Sequence, residues 1–365
     1  MNINQKIHFF FEKRIFFFKK KISNSNTIFQ KNTIWFIILR KNDKIGIGEC
    51  NPILDQYALN NLKKFEIELK NISEKILFLK RDYKHISYSS ILFGLEQSIL
   101  SLKNQFPVLY HSKFTHGKEG VPVNGIIWLN SFKNRKHAIK KIESQIIKGC
   151  SFIKIKINMN FFNQYSIIKE IKKKYPFIKI RVDANGCFKN IKEALYCLNK
   201  FYDLNIIDLM EQPIPPGNWK EMSKICKKSK LPIALDEELA NVNILKEKRK
   251  LLDVIQPQYI ILKPSVNGGF YGSEEWIIEA MKRRIKWCVS SSFESNIGIN
   301  AIAQWTFIMQ KKYNNQNYTH GLNTGTLYVN NWKSPLEIKK GSIWYNPFVK
   351  WKIKMLFKLN KKKCG

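Results

Sequence analysis

From about residue 120 onward the chain alternates between two hydrophobic periods. Short apolar, β-branched runs (VPVNGIIWL, SFIKIKI, FIKIRVDAN, IIDLMEQPI, LPIALDEEL, QYIILKPS and KWCVSSSF) have the length and composition of buried strands. Between them, FKNRKHAIKKIESQIIKG, QYSIIKEIKKKYP, IKEALYCLNKF, NILKEKRKLL, SEEWIIEAMKRR and GINAIAQWTFIMQKK carry helical spacing, with Gly149 and Pro176 as stops for the first two. Such alternation predicts an α/β protein with a parallel sheet, either doubly wound or closed. The interval decides between them. The polar residues that end successive strands, Lys156, Asp183, Glu211, Asp236, Lys263 and Ser290, are 27, 28, 25, 27 and 27 positions apart by subtraction of their numbers. A near-constant unit over six strands predicts a (β/α)8-type barrel, whose active site lies at the C-terminal ends of its strands. A doubly wound sheet more often carries a glycine-rich first turn, and no G-x-G-x-x-G follows any of these strands.

The pattern is different before this region. KIHFFFEKRIFFFKKKI and TIWFIILRKNDKIGIGEC read as antiparallel strands with a turn at Asn42-Asp43-Lys44, followed by helical NLKKFEIELKNISEKILFL and SSILFGLEQSILSLK. The expected organisation is an α+β unit over residues 1–117, a barrel over 118–325, and a tail over 326–365 that packs back on the first unit through runs such as GSIWYNPFVKWKIKM.

Charge changes the picture less than its size suggests. The 365 residues include 63 Lys+Arg against 28 Asp+Glu, a net charge of +35. Lysine runs such as FFFKKK, IKKKYP and LNKKKCG are scattered, and Lys, Ile and Asn are heavily used everywhere. That distribution reads as compositional drift rather than a specific nucleic-acid surface, although it raises non-specific affinity for polyanions at low salt. Seven cysteines (Cys50, Cys150, Cys187, Cys197, Cys226, Cys288 and Cys364) include no C-x-x-C and no zinc-spaced Cys/His cluster, which suits a reducing cytoplasm. Charges interrupt the apolar N-terminus every few residues, unlike a signal peptide, and no apolar run approaches about 18 residues, so no membrane insertion is expected.

Three carboxylates carry the candidate chemistry. Taken singly, Asp183 could start an Asx turn before Gly186, Glu211 could end a strand before a proline turn, and Asp236 could cap a helix. Jointly they end three successive strands at near-equal spacing, flanked by strands that bear lysines. Converging carboxylates repel one another unless a cation joins them. Hard oxygen donors suit Mg²⁺, less often Mn²⁺, and the absence of His and Cys argues against zinc. Lys154 and Lys156 are two apart in a strand, so they share a face at roughly 7 Å. Burial and mutual repulsion are expected to lower their ammonium pKa values and free an amine as base. Lys263 would face them across the mouth. Amines on two sides of a metal-bound carboxylate suit abstraction of a proton α to that carboxylate, because the ammonium and the metal stabilise the enediolate.

These residues carry a resemblance. KIK (154–156), DAN (183–185), Glu211 in EQP, DEE (236–238) and KPS (263–265) resemble the enolase superfamily, in the muconate-lactonizing-enzyme subgroup with lysines on barrel strands two and six. VNGIIW, IALDEELA, IILKPSVNGGF, SSSFESNIGINAIAQW, GLNTGTLYVNNW and the GIGECNP of 46–52 resemble o-succinylbenzoate synthases of the Bacteroidetes type, over about residues 35 to 345. The resemblance implies a (β/α)7β-type modified TIM barrel with an N-terminal α+β capping domain. It also implies a menaquinone-pathway lyase that dehydrates 2-succinyl-6-hydroxy-2,4-cyclohexadiene-1-carboxylate to 2-succinylbenzoate. Asp183, Glu211 and Asp236 would then hold Mg²⁺. Lys156 would remove the α-proton and protonate the departing hydroxyl in a syn elimination, Lys263 would stabilise the enediolate, and Lys154 would tune the base. Asn185 would support the metal site, and Glu238 would support it or start a helix rather than ligate. Ser290, Ser291, Ser292 and Glu294 would line the substrate pocket, with backbone from Gly321 to Gly325 meeting the succinyl carboxylate.

The chain also departs from the pattern. The stretch SNSNTIFQKN, 23–32, lacks the arginine of a Ser-Arg-Gly-like mobile loop, and Asn158 and Asn323 stand where glycine is usual. Asn accepts left-handed backbone better than most residues, so both replacements are expected to be tolerable. Two rival readings remain at this level. One is a racemase or epimerase of N-succinylamino acids or dipeptides, which would use the same metal and lysines. The other is a non-catalytic polyanion-binding protein in a decayed barrel.

Overall fold

Period-two alternation builds the first sheet. Strands β1 (His8–Ser23), β2 (Ile28–Lys41) and β3 (Lys44–Cys50) pair antiparallel in that order. Lys41 pairs with Lys44 across a two-residue turn, where Asn42 takes a left-handed φ of 52°. Trp35, Ile37 and Leu39 of β2 point to one side, toward Phe65, Leu69, Ile91 and Leu95. Those residues belong to helices α2 (Leu62–Lys75) and α3 (Ser89–Asn104), which follow the short α1 (Gln56–Asn60). Glycine allows α3 to lie directly on β3: a Cβ on Gly48 would stand 1.7 Å from the Gly94 carbonyl oxygen. On the other face, Ile34 and Phe36 join Phe16, Ile47, Phe293, Ile297 and Tyr328. Phe293 and Ile297 come from the barrel, so this second cluster ties cap to barrel.

The computed structural model describes residues 7–23, 28–54, 56–75, 86–128, 135–158, 160–315 and 318–352. Residues 24–27 of the expected mobile loop, and Cys364, lie outside the described residues.

After β4 (Val121–Pro122), seven parallel strands follow in sequence order: β5 (Gly125–Trp128), β6 (Phe152–Lys156), β7 (Lys179–Asp183), β8 (Ile207–Glu211), β9 (Ile233–Leu235), β10 (Tyr259–Leu262) and β11 (Lys286–Val289). Each pairs with the next. A very short eighth strand completes the circle, because His320 bridges Val123 and Gly321 bridges Ser290, both parallel. Helices α4 (Arg135–Ile147), α5 (Phe161–Lys174), α6 (Ile191–Tyr202), α7 (Trp219–Lys228), α8 (Leu245–Ile255), α9 (Gly269–Lys282) and α10 (Asn296–Lys312) lie between the strands. This is the modified TIM barrel with an antiparallel cap that the sequence predicts. Helix α7 is not predicted above. Its four lysines in ten residues mask a narrow stripe in which Met222, Ile225 and Cys226 are buried.

Downstream of the barrel the chain touches both units. Lys19 N donates to Leu327 O and Val329 N to Phe17 O, both at 2.8 Å, against β1. Strands β12 (Leu336–Lys339) and β13 (Ser342–Tyr345) instead extend a small sheet through β4. Among the described residues no helix is long and apolar enough to cross a membrane.

Candidate active site

The strand register sets the site. Lys156 pairs with Asp183, and Asp183 with Glu211, so three charged side chains end neighbouring strands at one level. Asp236 follows β9 and Lys263 follows β10. A cavity opens above these ends, lined by Lys154, Lys156, Asn185, Asp236, Glu237, Lys263, Ser290, Ser291, Gly321 and Asn323 among its polar residues. Leu54 of the cap, Ile126, Ala240, Val266 and Phe293 supply its apolar wall. Asp183 and Glu211 lie beneath the cavity floor, at 0% and 2% exposure.

Opposite charges pack closely here. Lys154 Nζ donates to Glu211 Oε1 at 2.6 Å and stands 2.9 Å from Asp183 Oδ2. Lys156 Nζ donates to Asn185 Oδ1 at 2.9 Å and lies 3.1 Å from the same Asp183 oxygen. Lys263 donates to Asp236 Oδ2. The lowering expected at Lys154 is reversed, and Lys263 behaves in the same way. Burial pushes both ammonium groups down, but the carboxylates outweigh it: Asp183, Glu211 and Asp236 at Lys154, and Asp236, Glu237 and Glu211 at Lys263, so both are raised. The carboxylates that offset the cost of burying the lysines also favour their charged form, and at these distances that attraction exceeds burial and lysine–lysine repulsion. Burial pushes Asp183 up, yet Lys154 and Lys156 hold it well below the usual carboxylate range. Glu211 rises, by burial and then by the neighbouring Asp183.

Among the described residues, no three Asp, Glu, His or Cys side chains stand as a ready-made metal cluster. The carboxylates meet ammonium groups instead. The donor chemistry still fits a hard divalent ion: three carboxylates end successive strands, and Asp183 Oδ2 is buried with no hydrogen bond aligned on it, despite the nearby lysines.

The substrate-contact candidates divide. Asn185, Ser290, Ser291 and Gly321 line the cavity, and Asn185 also donates to Glu237 Oε1 at 2.9 Å. Ser292, Glu294 and Gly325 do not line it. After Ser291 the chain turns at Phe293, whose φ is +61°, and this swings both neighbours into the barrel wall. Ser292 N then donates to Glu294 Oε2 at 2.5 Å, while Ser265 Oγ donates to Glu294 Oε1 at 2.7 Å. The Gly325 carbonyl accepts from Asn331 Nδ2. Glu238 takes a supporting place, accepting from Gly217 N at 2.8 Å and Gln212 Nε2 at 3.3 Å. Neither Asn158 nor Asn323 is left-handed, so each needs no glycine-like tolerance; Asn158 N donates to Gln164 Oε1, and Asn323 Nδ2 to Gln145 Oε1.

Glu237 and Phe293 are cavity residues to which the sequence assigns no role. The Glu237 carboxyl is pushed up to about 7, by burial first and then by Asp236, and its Oε2 is buried without a partner. The DEE run contained the signal, but only the short helical turn Glu237–Leu239 after β9 aims the middle acid, not the third, at the cavity.

A family model described as "Enolase C-terminal domain-like" matches residues 137–346, and the chain belongs to that family. Among curated proteins it is 36% identical over 260 residues to the o-succinylbenzoate synthase of Desulfotalea psychrophila, covering 70% of this chain and 67% of that protein. The crystal structure of MenC from the same organism superposes with a TM-score of 0.77 at 28% identity, covering 93% of this chain and 99% of that one. Similarity to an N-succinyl-L-Arg/Lys racemase of Bacillus cereus is lower, 27% over 193 residues, and spans about half of each chain.

Proposed function

We propose that this chain is an o-succinylbenzoate synthase, a lyase that dehydrates 2-succinyl-6-hydroxy-2,4-cyclohexadiene-1-carboxylate to 2-succinylbenzoate in menaquinone biosynthesis. The carrying observation is one cavity whose polar wall holds Lys156 and Lys263, each against a strand-end aspartate. The similarity to the Desulfotalea protein, over 70% of this chain in sequence and 93% in structure, supports the choice of reaction. Asp183, Glu211 and Asp236 would hold Mg²⁺, which supplies Lewis acidity to a substrate carboxylate when bound.

The chain's own residues account for the rest. Lys156, positioned by Asn185, takes the proton α to the carboxylate as a neutral amine. The electron pair left behind delocalises into the carboxylate, and the ammonium of Lys263 balances the second negative charge. The ring C–O bond then breaks, and the hydroxyl leaves with the proton returned by Lys156, as water, on the same face. Aromatisation makes this second half downhill. Lys154 keeps Asp183 and Glu211 in place beneath the floor. The six described cysteines are unpaired, which agrees with a reducing cytoplasm.

Purified protein with Mg²⁺ should convert the cyclohexadiene acid, followed by the absorbance change as the ring aromatises, and a chelator should stop it until Mg²⁺ returns. Turnover of N-succinylamino acids alone would instead select the racemase reading. No turnover of either, with tight DNA binding at physiological salt, would select the polyanion-binding reading.

A further inference from the structure

The wall residue Phe293 is held in place from outside the barrel. Its φ of +61° is a left-handed conformation that an aromatic side chain rarely adopts and that glycine would take freely. Its carbonyl oxygen accepts from Tyr328 OH at 2.5 Å and from Asn51 Nδ2 at 3.1 Å; Asn51 Nδ2 also lies 3.0 Å from Ser292 O. Asn32 Nδ2 reaches Tyr328 OH at 2.7 Å and Asn51 Oδ1 at 3.1 Å, joining the two donors. The ring packs edge-on against Phe18 of β1, at 5.9 Å between centroids. Every one of these partners comes from the cap or from the chain that follows the barrel.

A strained aromatic residue persists only where its surroundings over-determine it. Here they do, and the result is an apolar surface in a cavity whose opposite chemistry is ionic. We propose that Phe293 is a specificity-determining residue of this site and that Asn51 and Tyr328 are its positioning residues, so that the cap sets the pocket's apolar wall through one carbonyl oxygen. The surface suits the flat carbocycle of the substrate; this assignment of the ring rests on the dehydratase reading.

The experiment compares Phe293→Ala, Phe293→Gly, Tyr328→Phe, Asn51→Ala and the combined Asn51→Ala/Tyr328→Phe protein with wild type. Phe293→Ala is expected to raise KM for the cyclohexadiene acid on the order of tenfold, with a much smaller change in kcat. The combined variant should raise KM to a similar extent, and adding Phe293→Ala to it should raise KM little further, because both act through the same ring. Phe293→Gly should raise KM at least as much as Phe293→Ala while lowering Tm less than that variant does, since it loses the same buried ring but relieves the backbone; a merely structural role would lower Tm and leave KM. Unchanged KM in the combined variant, or effects that multiply, would overturn the proposal. If wild type turns over only N-succinylamino acids, the dehydratase reading and the ring assignment fall, and the same KM comparison on those substrates judges the positioning. If neither class is turned over, the crystal structure of the combined variant decides: Phe293 still left-handed with its ring unmoved would overturn the clamp.

Discussion

In the proposed reaction Lys156 is the base. Its amine meets Asn185 at 2.9 Å and Asp183 at 3.1 Å, a geometry that fixes direction as well as charge. Lys156→Ala should lower kcat by about 10³-fold or more, as loss of a positioned general base does. Because the substitution removes none of the three acids, Mg²⁺ should still raise the variant's Tm; near-wild-type turnover would place the base elsewhere. The acids and lysines of this centre were legible because each sits at a strand end and the strands recur at a fixed interval. Phe293 and Glu237 were not. Nothing in SSSFES announces a left-handed phenylalanine, and nothing in DEE says which acid a single helical turn will direct inward. Both depend on backbone angles that follow from packing.

At the scale of elements, two glutamates of the cap serve as helix-end acceptors for the barrel. Glu49, at the end of β3, accepts from Ser295 N, Ser295 Oγ and Gly298 N at 2.5–2.8 Å, at the start of α10. Glu96 of α3 accepts from Phe270 N and Tyr271 N at the start of α9. Burial first, and then the facing Glu294, push Glu49 up to about 8; burial likewise pushes Glu96 up to about 7. A carboxyl whose pKa is higher folded than unfolded binds more protons in the folded state. Its contribution is complete below the unfolded value near 4.5 and is lost as pH rises through the folded value. Stability should therefore decline between pH 5 and 8, by at most about 1.4 kcal/mol per pH unit for each group. In Glu49→Gln, which keeps an acceptor and cannot ionise, the slope of Tm against pH should be visibly flatter; an unchanged slope would show that Glu49 does not titrate in that window. The elements themselves were largely readable from apolar period. The exception, α7, shows the limit: its apolar stripe is sharply one-sided, but only ten residues long and so diluted by four lysines that the segment as a whole reads as polar. The close seating of α3 on β3 is readable only in retrospect, from glycines in GIGEC that meet Gly94 and Ser98.

For the whole molecule, the charge of +35 is a surface property and the site is nearly self-neutralising. Lysines pair locally with acids on neighbouring helices, such as Lys312 with Glu274 and Lys13 with Glu66, and the excess of lysine over acid is spread along the whole sequence. Binding to random-sequence DNA should be measurable by gel shift at about 50 mM salt and weaken by roughly 10³-fold or more at 200 mM, with no sequence preference. Sequence-selective binding that survives 200 mM salt would assign the charge a function.

The two-residue stave at His320 and Gly321 gives the cylinder a seam. Neighbouring staves elsewhere are zipped by two to five registered pairs; each side of this one has one residue pair, closed by two backbone hydrogen bonds, His320 N to Pro122 O and Asn124 N to His320 O on one side, Gly321 N to Val289 O and Ser291 N to Gly321 O on the other. Gly321 borders the cavity, so the cylinder's shortest join lies in the wall of the site itself, and the closure of the ring and the shape of the pocket depend on the same few backbone bonds.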